Sequence, residues 1–439
     1  GDADGDGTPD YTDLDSDGDA ASDLEEDSES GSDPYDEDTD GDGVSDGIEI
    51  TAGTDPTDAS SSTDLYVEVE EGAVSVSYTF SMETELKKVD IAFLIDTTCS
   101  MGSTRTAMAS EYTEIVSQIS ETIGTAQYGF ATFDDYAAAD FGYASEGDIP
   151  FLLHQQITND TDLVNAALAS TPEHNGGDGP ESSIEALYQA TSGNGYDQNC
   201  DGNFDADTDV KPFFSSGSDP FGGSGGEAWT PTTGGGPVGG MGFRGEEALP
   251  VLIYATDNFM RNPEAGYGSP GGCPMDASMS DVGSAAADIG ARLIGIASED
   301  TPHWSQMEDL AALTSSMYDS DGDDVAEETL VFHWLGSDAA FRNTIVGALE
   351  WLLGGVQFDT VHLEVDVDPW GFIQTVTPEA YEDLTIGISG EELVFTITLD
   401  GVVPALADDA IYPVTLNVYG DYTTLLATEP LLIVVPGIY

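Results

Sequence analysis

From Leu65 the chain alternates apolar and polar residues through LYVEVEEGAVSVSYTF to Phe80, the period-two pattern of two strands meeting at Gly72. At Val89 the pattern changes. VDIAFLID (Val89–Asp96) reads as a buried strand, and apolar residues at helical spacing follow from Met108 to Ile123. Strands are predicted at Gln127–Phe133 and Phe151–Ile157, with helices at Asp162–Ala169 and Glu181–Ala190. Regularity stops over residues 193–247, a long insert that ends Gly-rich (GGGPVGGMGF). LPVLIYATD (Leu249–Asp257) restores the strand pattern. A helix near Asp281–Ile289, the strand RLIGIAS, a helix near Gln306–Leu313, the strand TLVFHWL and the helix Ala339–Leu353 complete the alternation. Strand and helix in turn predict an open parallel sheet covered on both faces, a doubly wound α/β domain over 89–354.

Beyond Gly355 the helical period disappears. VHLEVDV, LTIGIS, LVFTITL, YPVTLNVY and LLIVV are short strand-like runs separated by turn residues, as in a β-sandwich. A free-standing hairpin is marginal in water. The strands of segment 64–88 are therefore expected to pair with 356–439, which makes the α/β domain an insertion into an all-β sandwich.

Residues 1–58 have neither period. They hold roughly 23 acidic groups and no Lys or Arg. Residues 38–49, DTDGDGVSDGIE, set Asp38, Asp40 and Asp42 at alternate positions before Gly43, then Asp46, and close on Glu49. Oxygen ligands at positions 1, 3, 5, 9 and 12 are the spacing of an EF-hand-type calcium loop. Residues 2–13 repeat it with Asp2, Asp4, Asp6, Gly7, Asp10 and Asp13. A third copy has Asp15, Asp17, Asp19, Asp23 and Glu26, with Ala20 where Gly belongs. A disordered acidic tail would not keep Asp at alternate positions three times over. The array resembles thrombospondin type 3 repeats, in which calcium-filled loops take the place of an apolar core. The insert holds a relative, Asp197, Asn199, Asp201, Gly202 and Asp205, with Thr208 at position 12.

Over the whole chain 85 Asp and Glu stand against 8 Lys and Arg, a net charge of −77. That surface excludes nucleic acid and anionic lipid as partners and favours cations. The excess persists beyond the repeats, which points to a salt-rich or calcified exterior. Three cysteines form no zinc pattern. Cys200 pairs most readily with Cys273, since both lie in Gly-rich loops; Cys99–Cys273 is the alternative. No apolar run is long enough to span a bilayer.

In an open parallel sheet, ligands bind beyond the carboxyl ends of the strands. Three such ends carry oxygen-bearing residues. They are Asp96-Thr97-Thr98-Cys99-Ser100, the GGDGPESS run at Gly176–Ser183, and Ala255-Thr256-Asp257. Hydroxyls and carboxylates without His or Cys make a hard site for Mg²⁺, Mn²⁺ or Ca²⁺. VDIAFLIDTTCSM resembles the metal-ion-dependent adhesion site of von Willebrand factor type A domains, usually D-x-S-x-S, with Thr98 replacing the first Ser. GGDGPE and YATD are similar to the inserted domain of integrin β subunits. The resemblance implies a metal on Asp96, Thr98, Ser100, Glu181 and Asp257. It also implies a neighbouring calcium on Asp135, Asp178, the Pro180 carbonyl and Glu181. The family's other flanking site uses an acidic pair where this chain has Ser103 and Thr104, so that site is expected to be absent.

The resulting expectation is an extracellular or cell-surface, non-enzymatic binding protein with several Ca²⁺ ions. Its metal captures a carboxylate on a protein or glycan, and displacement of the last helix of the α/β domain re-angles the sandwich. The alternative is a self-associating structural subunit of a calcium-stabilised surface layer, stalk or filament. A hydrolase using metal-activated water lacks a general base in the sequence, and Cys99 has no histidine partner in sequence.

Overall fold

The computed structural model describes residues 1–438 except 124, 139, 214–239, 246–247, 269, 274–275, 299–302, 321–325 and 335. Most of the insert's Gly-rich end lies outside the described residues. In chain order the main elements are α1 (Asp46–Ala52), β1 (Tyr66–Glu68), β2 (Val76–Thr84), β3 (Val89–Asp96), α2 (Gly102–Thr122), β4 (Gln127–Phe133) and β5 (Leu152–Thr158). There follow α3 (Thr161–Ser170), α4 (Ser183–Ser192), β6 (Leu249–Thr256), α5 (Met279–Asp288), β7 (Arg292–Ser298), α6 (Trp304–Leu313), β8 (Val331–Trp334) and α7 (Asp338–Gly354). The C-terminal strands are β9 (Val356–Val367), β10 (Ile373–Thr377), β11 (Tyr381–Ile386), β12 (Glu391–Leu399), β13 (Ala410–Gly420) and β14 (Thr424–Val435).

Two compact units result. Residues 85–359 with 383–390 form the α/β unit; residues 1–84, 360–382 and 391–439 form the other. The α/β sheet has the order β8-β7-β6-β3-β4-β5. Every residue of β3 and β6 is buried, which is why Ile91–Ile95 and Leu249–Ala255 read as unbroken apolar runs rather than alternating ones. On α2, Ala107, Met108, Tyr112, Ile115, Val116 and Ile119 recur at three- and four-residue spacing and are buried. β5 departs from the expected parallel sheet, because it runs antiparallel to β4. Among the described residues of 134–151 there is no helix beyond one short turn, and so no helical crossover to bring the chain back parallel.

The described ends of the 193–247 insert are ordered parts of the core. Tyr196 and Val210 pair across an isolated bridge and join Met241 and Phe243 in the α/β core. Cys200 and Cys273 form the disulfide, leaving Cys99 free and exposed.

The other unit holds β10-β12-β2 as one sheet and most of a second, β1-β14-β13-β9-β11. β2 pairs with β12 along its whole length, from Val76–Leu399 to Thr84–Glu391. β1 instead pairs parallel with β14. Gly72 is therefore not a hairpin turn; the segment around it passes from one sheet to the other, held by Gly72 N–H to the Gly401 carbonyl at 2.9 Å. The repeats belong to this unit. Val44 and Ile48 pack on Leu432 and Val434 of β14, so a small apolar cluster seats α1 on the sheet.

Candidate metal centres

The three N-terminal loops share one hydrogen-bond scheme. In the third, Asp38 accepts from the amides of Gly41 at 2.9 Å and Gly43 at 2.9 Å, while Asp42 accepts from Val44 N–H at 2.9 Å. The second does the same, with Asp15 accepting from Gly18 at 3.0 Å and Ala20 at 3.1 Å. In the first, Asp2 accepts from Gly7 and Asp6 from Thr8. These short-range bonds wind alternate carboxylates inward.

What remains open is equally regular. Position 3 leaves buried oxygens without a hydrogen-bond partner on Asp4, Asp17 and Asp40, and position 12 does so on Asp13, Glu26 and Glu49. Burying an unpaired carboxylate oxygen is expensive unless a cation completes it. Burial first, then neighbouring acids, pushes Asp15, Asp17 and Asp19 up to about 7 and Glu26 up to about 8. The donor set is all oxygen and fits calcium.

The ninth-position acids, expected as ligands, accept hydrogen bonds within their own loops. Asp46 accepts from Thr39 N–H at 2.9 Å and Thr39 Oγ1 at 2.6 Å. Asp23 likewise holds Ser16 N–H and Oγ, and Asp10 holds Ala3 N–H. Each staples its loop shut from a position where both partners lie seven residues apart. The loop in the insert follows the scheme at Asp197, Asn199 and Asp201 and then departs from it. Asp209, not Asp205, bonds the second-position amide of Gln198 at 2.9 Å, and no acid stands at position 12. Asp408, just before β13, was not anticipated. It carries a buried oxygen without a hydrogen-bond partner, and burial with Asp13, Asp6 and Asp4 raises its carboxyl above the usual range.

Ala20 holds φ 80°, where the first and third loops have Gly7 and Gly43 at 97° and 101°. A side chain in this region costs about 1 kcal/mol. Ala20→Gly should therefore tighten calcium at the second loop about fivefold, read by calorimetric titration; unchanged affinity would show that the strain is absorbed elsewhere.

At the carboxyl ends of β3 and β6 the expected residues come together. Asp96 is fully buried and accepts from Thr98 N–H at 2.9 Å, Thr98 Oγ1 at 2.7 Å and Thr256 Oγ1 at 2.7 Å. Ser100 Oγ donates to Asp257 at 3.0 Å. Glu181 accepts from Asn258 Nδ2 at 3.3 Å through one oxygen, and its other oxygen is buried without a partner. Burial chiefly, with Asp96, Asp135 and Asp257 adding to it, drives the Glu181 carboxyl strongly upward. Asp96, Asp135 and Asp257 thus all act electrostatically on the Glu181 carboxyl.

Asp134 braces the site from behind. It accepts from Thr97 Oγ1 at 2.6 Å and pairs with His174 Nδ1 at 2.7 Å, while His174 N–H donates to the Thr97 carbonyl at 2.9 Å. Gly177 lets the acidic loop close: a Cβ there would lie 2.2 Å from the Phe141 carbonyl. On its open side the site adjoins a cavity of about 320 Å³ lined by Ser100, Ser103, Thr104, Asp257, Ser298, Trp334 and Gly336. Ser103 and Thr104 line this cavity and supply no carboxylate there.

Of the residues expected to hold a neighbouring calcium, Asp135, Asp178, the Pro180 carbonyl and Glu181, an arginine engages two, while Asp135 and Glu181 each keep a buried oxygen without a partner. Arg261 Nη2 donates to Asp178 at 2.5 Å and to the Pro180 carbonyl at 3.0 Å. A side-chain cation thus bonds two of the groups expected to hold the second ion. Sequence reasoning did not single out this arginine.

Among the described residues no helix is long and apolar enough to cross a membrane. No curated protein matches the sequence. Two crystal forms of proximal thread matrix protein 1 from the mussel byssus are similar in structure, at 12% identity and a TM-score of 0.34. The match covers 62% and 65% of this chain, which spans about half of that protein, 48% and 51%. The bacterial TSP3 repeat family matches residues 38–59, the third loop with α1 and the turn that follows. This chain therefore carries, near its N-terminus, a repeat of the calcium-binding kind typical of extracellular proteins.

Proposed function

We propose that the protein is an extracellular, metal-dependent binding protein. Its α/β unit acts as a von Willebrand A-like domain that captures an acidic group of a partner, and its repeats are held rigid by calcium. The reading is supported above all by the meeting of Asp96, Thr98, Ser100, Glu181 and Asp257 at the sheet's carboxyl edge, with a Glu181 oxygen left open. Mg²⁺, Mn²⁺ or Ca²⁺ bound there would act as a Lewis acid toward an incoming carboxylate. The protein's own groups do the rest. Thr98 and Thr256 orient Asp96, Ser100 orients Asp257, and Asn258 holds one oxygen of Glu181 and leaves the other open. The adjoining hydroxyl-lined cavity gives a partner's polar groups room beside the site.

The test presents Asp- or Glu-bearing peptides and uronic-acid glycans on a sensor surface to the intact chain, in Mg²⁺ and in EDTA. Binding should vanish in EDTA and in Asp96→Ala. Binding kept in both defeats the proposal, and Ca²⁺-driven self-association without any surface binding redirects it to an assembly role.

A further inference from the structure

We infer that the Arg261 guanidinium takes the place of the flanking calcium, so that the α/β site works with a single divalent ion beside a built-in monovalent cation. This rests on the metal-site reading above and sharpens it.

The placement begins in the backbone. After β6 the chain forms a two-residue ribbon, Phe259–Met260, parallel to Pro180–Glu181. The next amide, Arg261 N–H, donates to the Glu181 carbonyl at 2.8 Å. That register delivers the side chain to the acidic loop, where only 2% of it is exposed. Nη2 takes Asp178 and the Pro180 carbonyl; Nη1 donates to the Gly268 carbonyl at 2.9 Å; the guanidinium lies 4.5 Å over the Phe141 ring.

A guanidinium is charged at every relevant pH and offers a rigid fork of donors. A carboxylate and a carbonyl are what calcium would bind, at about 2.3–2.6 Å. Sharing these groups would set two cations about 4 Å apart, where they repel strongly. The environment is also built for the arginine, because calcium makes no use of a stacking ring. In a chain with 8 basic residues against 85 acidic ones, burying one of them here is a specific expenditure of positive charge.

The consequence is functional. The loop carrying Glu181 is held in place without calcium, so the primary ion finds its acidic ligand already positioned, and the flanking position does not respond to calcium concentration.

The intact chain, stripped and then equilibrated with Ca²⁺, can be counted for bound ions by equilibrium dialysis with elemental analysis. Asp178→Asn should hold as many ions as the unaltered chain, since Asp178 bonds Arg261 and not an ion; one ion fewer overturns the inference. Arg261→Met, checked for folding by circular dichroism, should gain one ion as Asp178 and the Pro180 carbonyl become free to join Asp135. A folded Arg261→Met chain with no gain also overturns it. Should that variant fail to fold, Asp178→Asn still decides. Asp96→Ala, run beside them, should lose one ion; an unchanged count there defeats the primary site and not the arginine's role.

Discussion

Removing calcium from the intact chain should unfold the N-terminal repeats well before the remainder of the molecule melts. Residues 1–58 have almost no apolar core: Val44 and Ile48 on β14 are their main hydrophobic anchor. In its place are buried acids. Asp17, Asp19, Glu26, Asp46 and Glu49 are all less than a tenth exposed, and Glu49 is pushed up to about 7, mainly by burial. With an ion at each loop, the charge of these acids is offset and the open oxygens of Asp17, Glu26 and Glu49 are filled. A ligand at a hundredfold excess over its dissociation constant stabilises by about 2.7 kcal/mol per site, so three loops contribute about 8 kcal/mol. That is as large as the whole stability of an ordinary domain. Hydrogen exchange should report it directly: amides such as Gly43 and Val44 protected in Ca²⁺ and exchanging freely in EDTA. Molar KCl separates two causes. It shortens the screening length to about 3 Å and relieves surface repulsion, yet it leaves the buried oxygens unfilled. High salt in EDTA should therefore support the α/β unit and not the repeats. Undiminished protection across 1–58 in EDTA would mean that the loops stand without ions.

The parts of this architecture that are legible in sequence are those whose determinants are close in sequence. A calcium loop declares itself because its ligands lie within twelve residues, and Asp38-x-Asp40-x-Asp42-Gly43 needs no tertiary information. The strand-end site is nearly as plain. A buried parallel strand is an unbroken apolar run, so the polar residues that end it, Asp96 and Asp257, sit at the sheet's edge by necessity. Other features depend on neighbours that only folding supplies. The ninth-position acids share their spacing with true ligands, and their employment by the second-position amide appears only in the wound loop. β1 and β2 alternate identically, yet one joins β14 and the other β12, a choice made by partners more than 300 residues away. Arg261 reaches the acidic loop through the register of a two-residue ribbon, and Asp408 lies in a turn remote from the loops that raise its carboxyl. The scarcity of basic residues was the one usable signal for Arg261, since each arginine in so acidic a chain has many competing uses.

Neutralising Asp96 should change the sign of its effect on stability with the ion. Asp96→Asn is the cleanest substitution, because its carbonyl can still accept from Thr98 and its amide can donate to Thr256 Oγ1, a hydroxyl able to accept. The hydrogen bonds survive; the charge does not. In the ion-free fold Asp96 is a buried carboxylate beside Asp257 and Glu181, and burial above all, with Asp257, raises its carboxyl above the usual range. Removing an uncompensated buried charge should stabilise that state by about 1–3 kcal/mol, a rise of about 2–8 °C in the melting of a unit this size. In Mg²⁺ the order reverses. Losing an outer-shell partner of a metal costs about 10–100-fold in affinity, and a direct ligand costs at least that, so the variant forgoes the ion's stabilisation while the unaltered chain keeps it. Calorimetric scans of both proteins, in EDTA and in Mg²⁺, give four melting temperatures whose order should cross. Two parallel shifts would mean that Asp96 is a structural cap on its own strand end, with no ion answering to it.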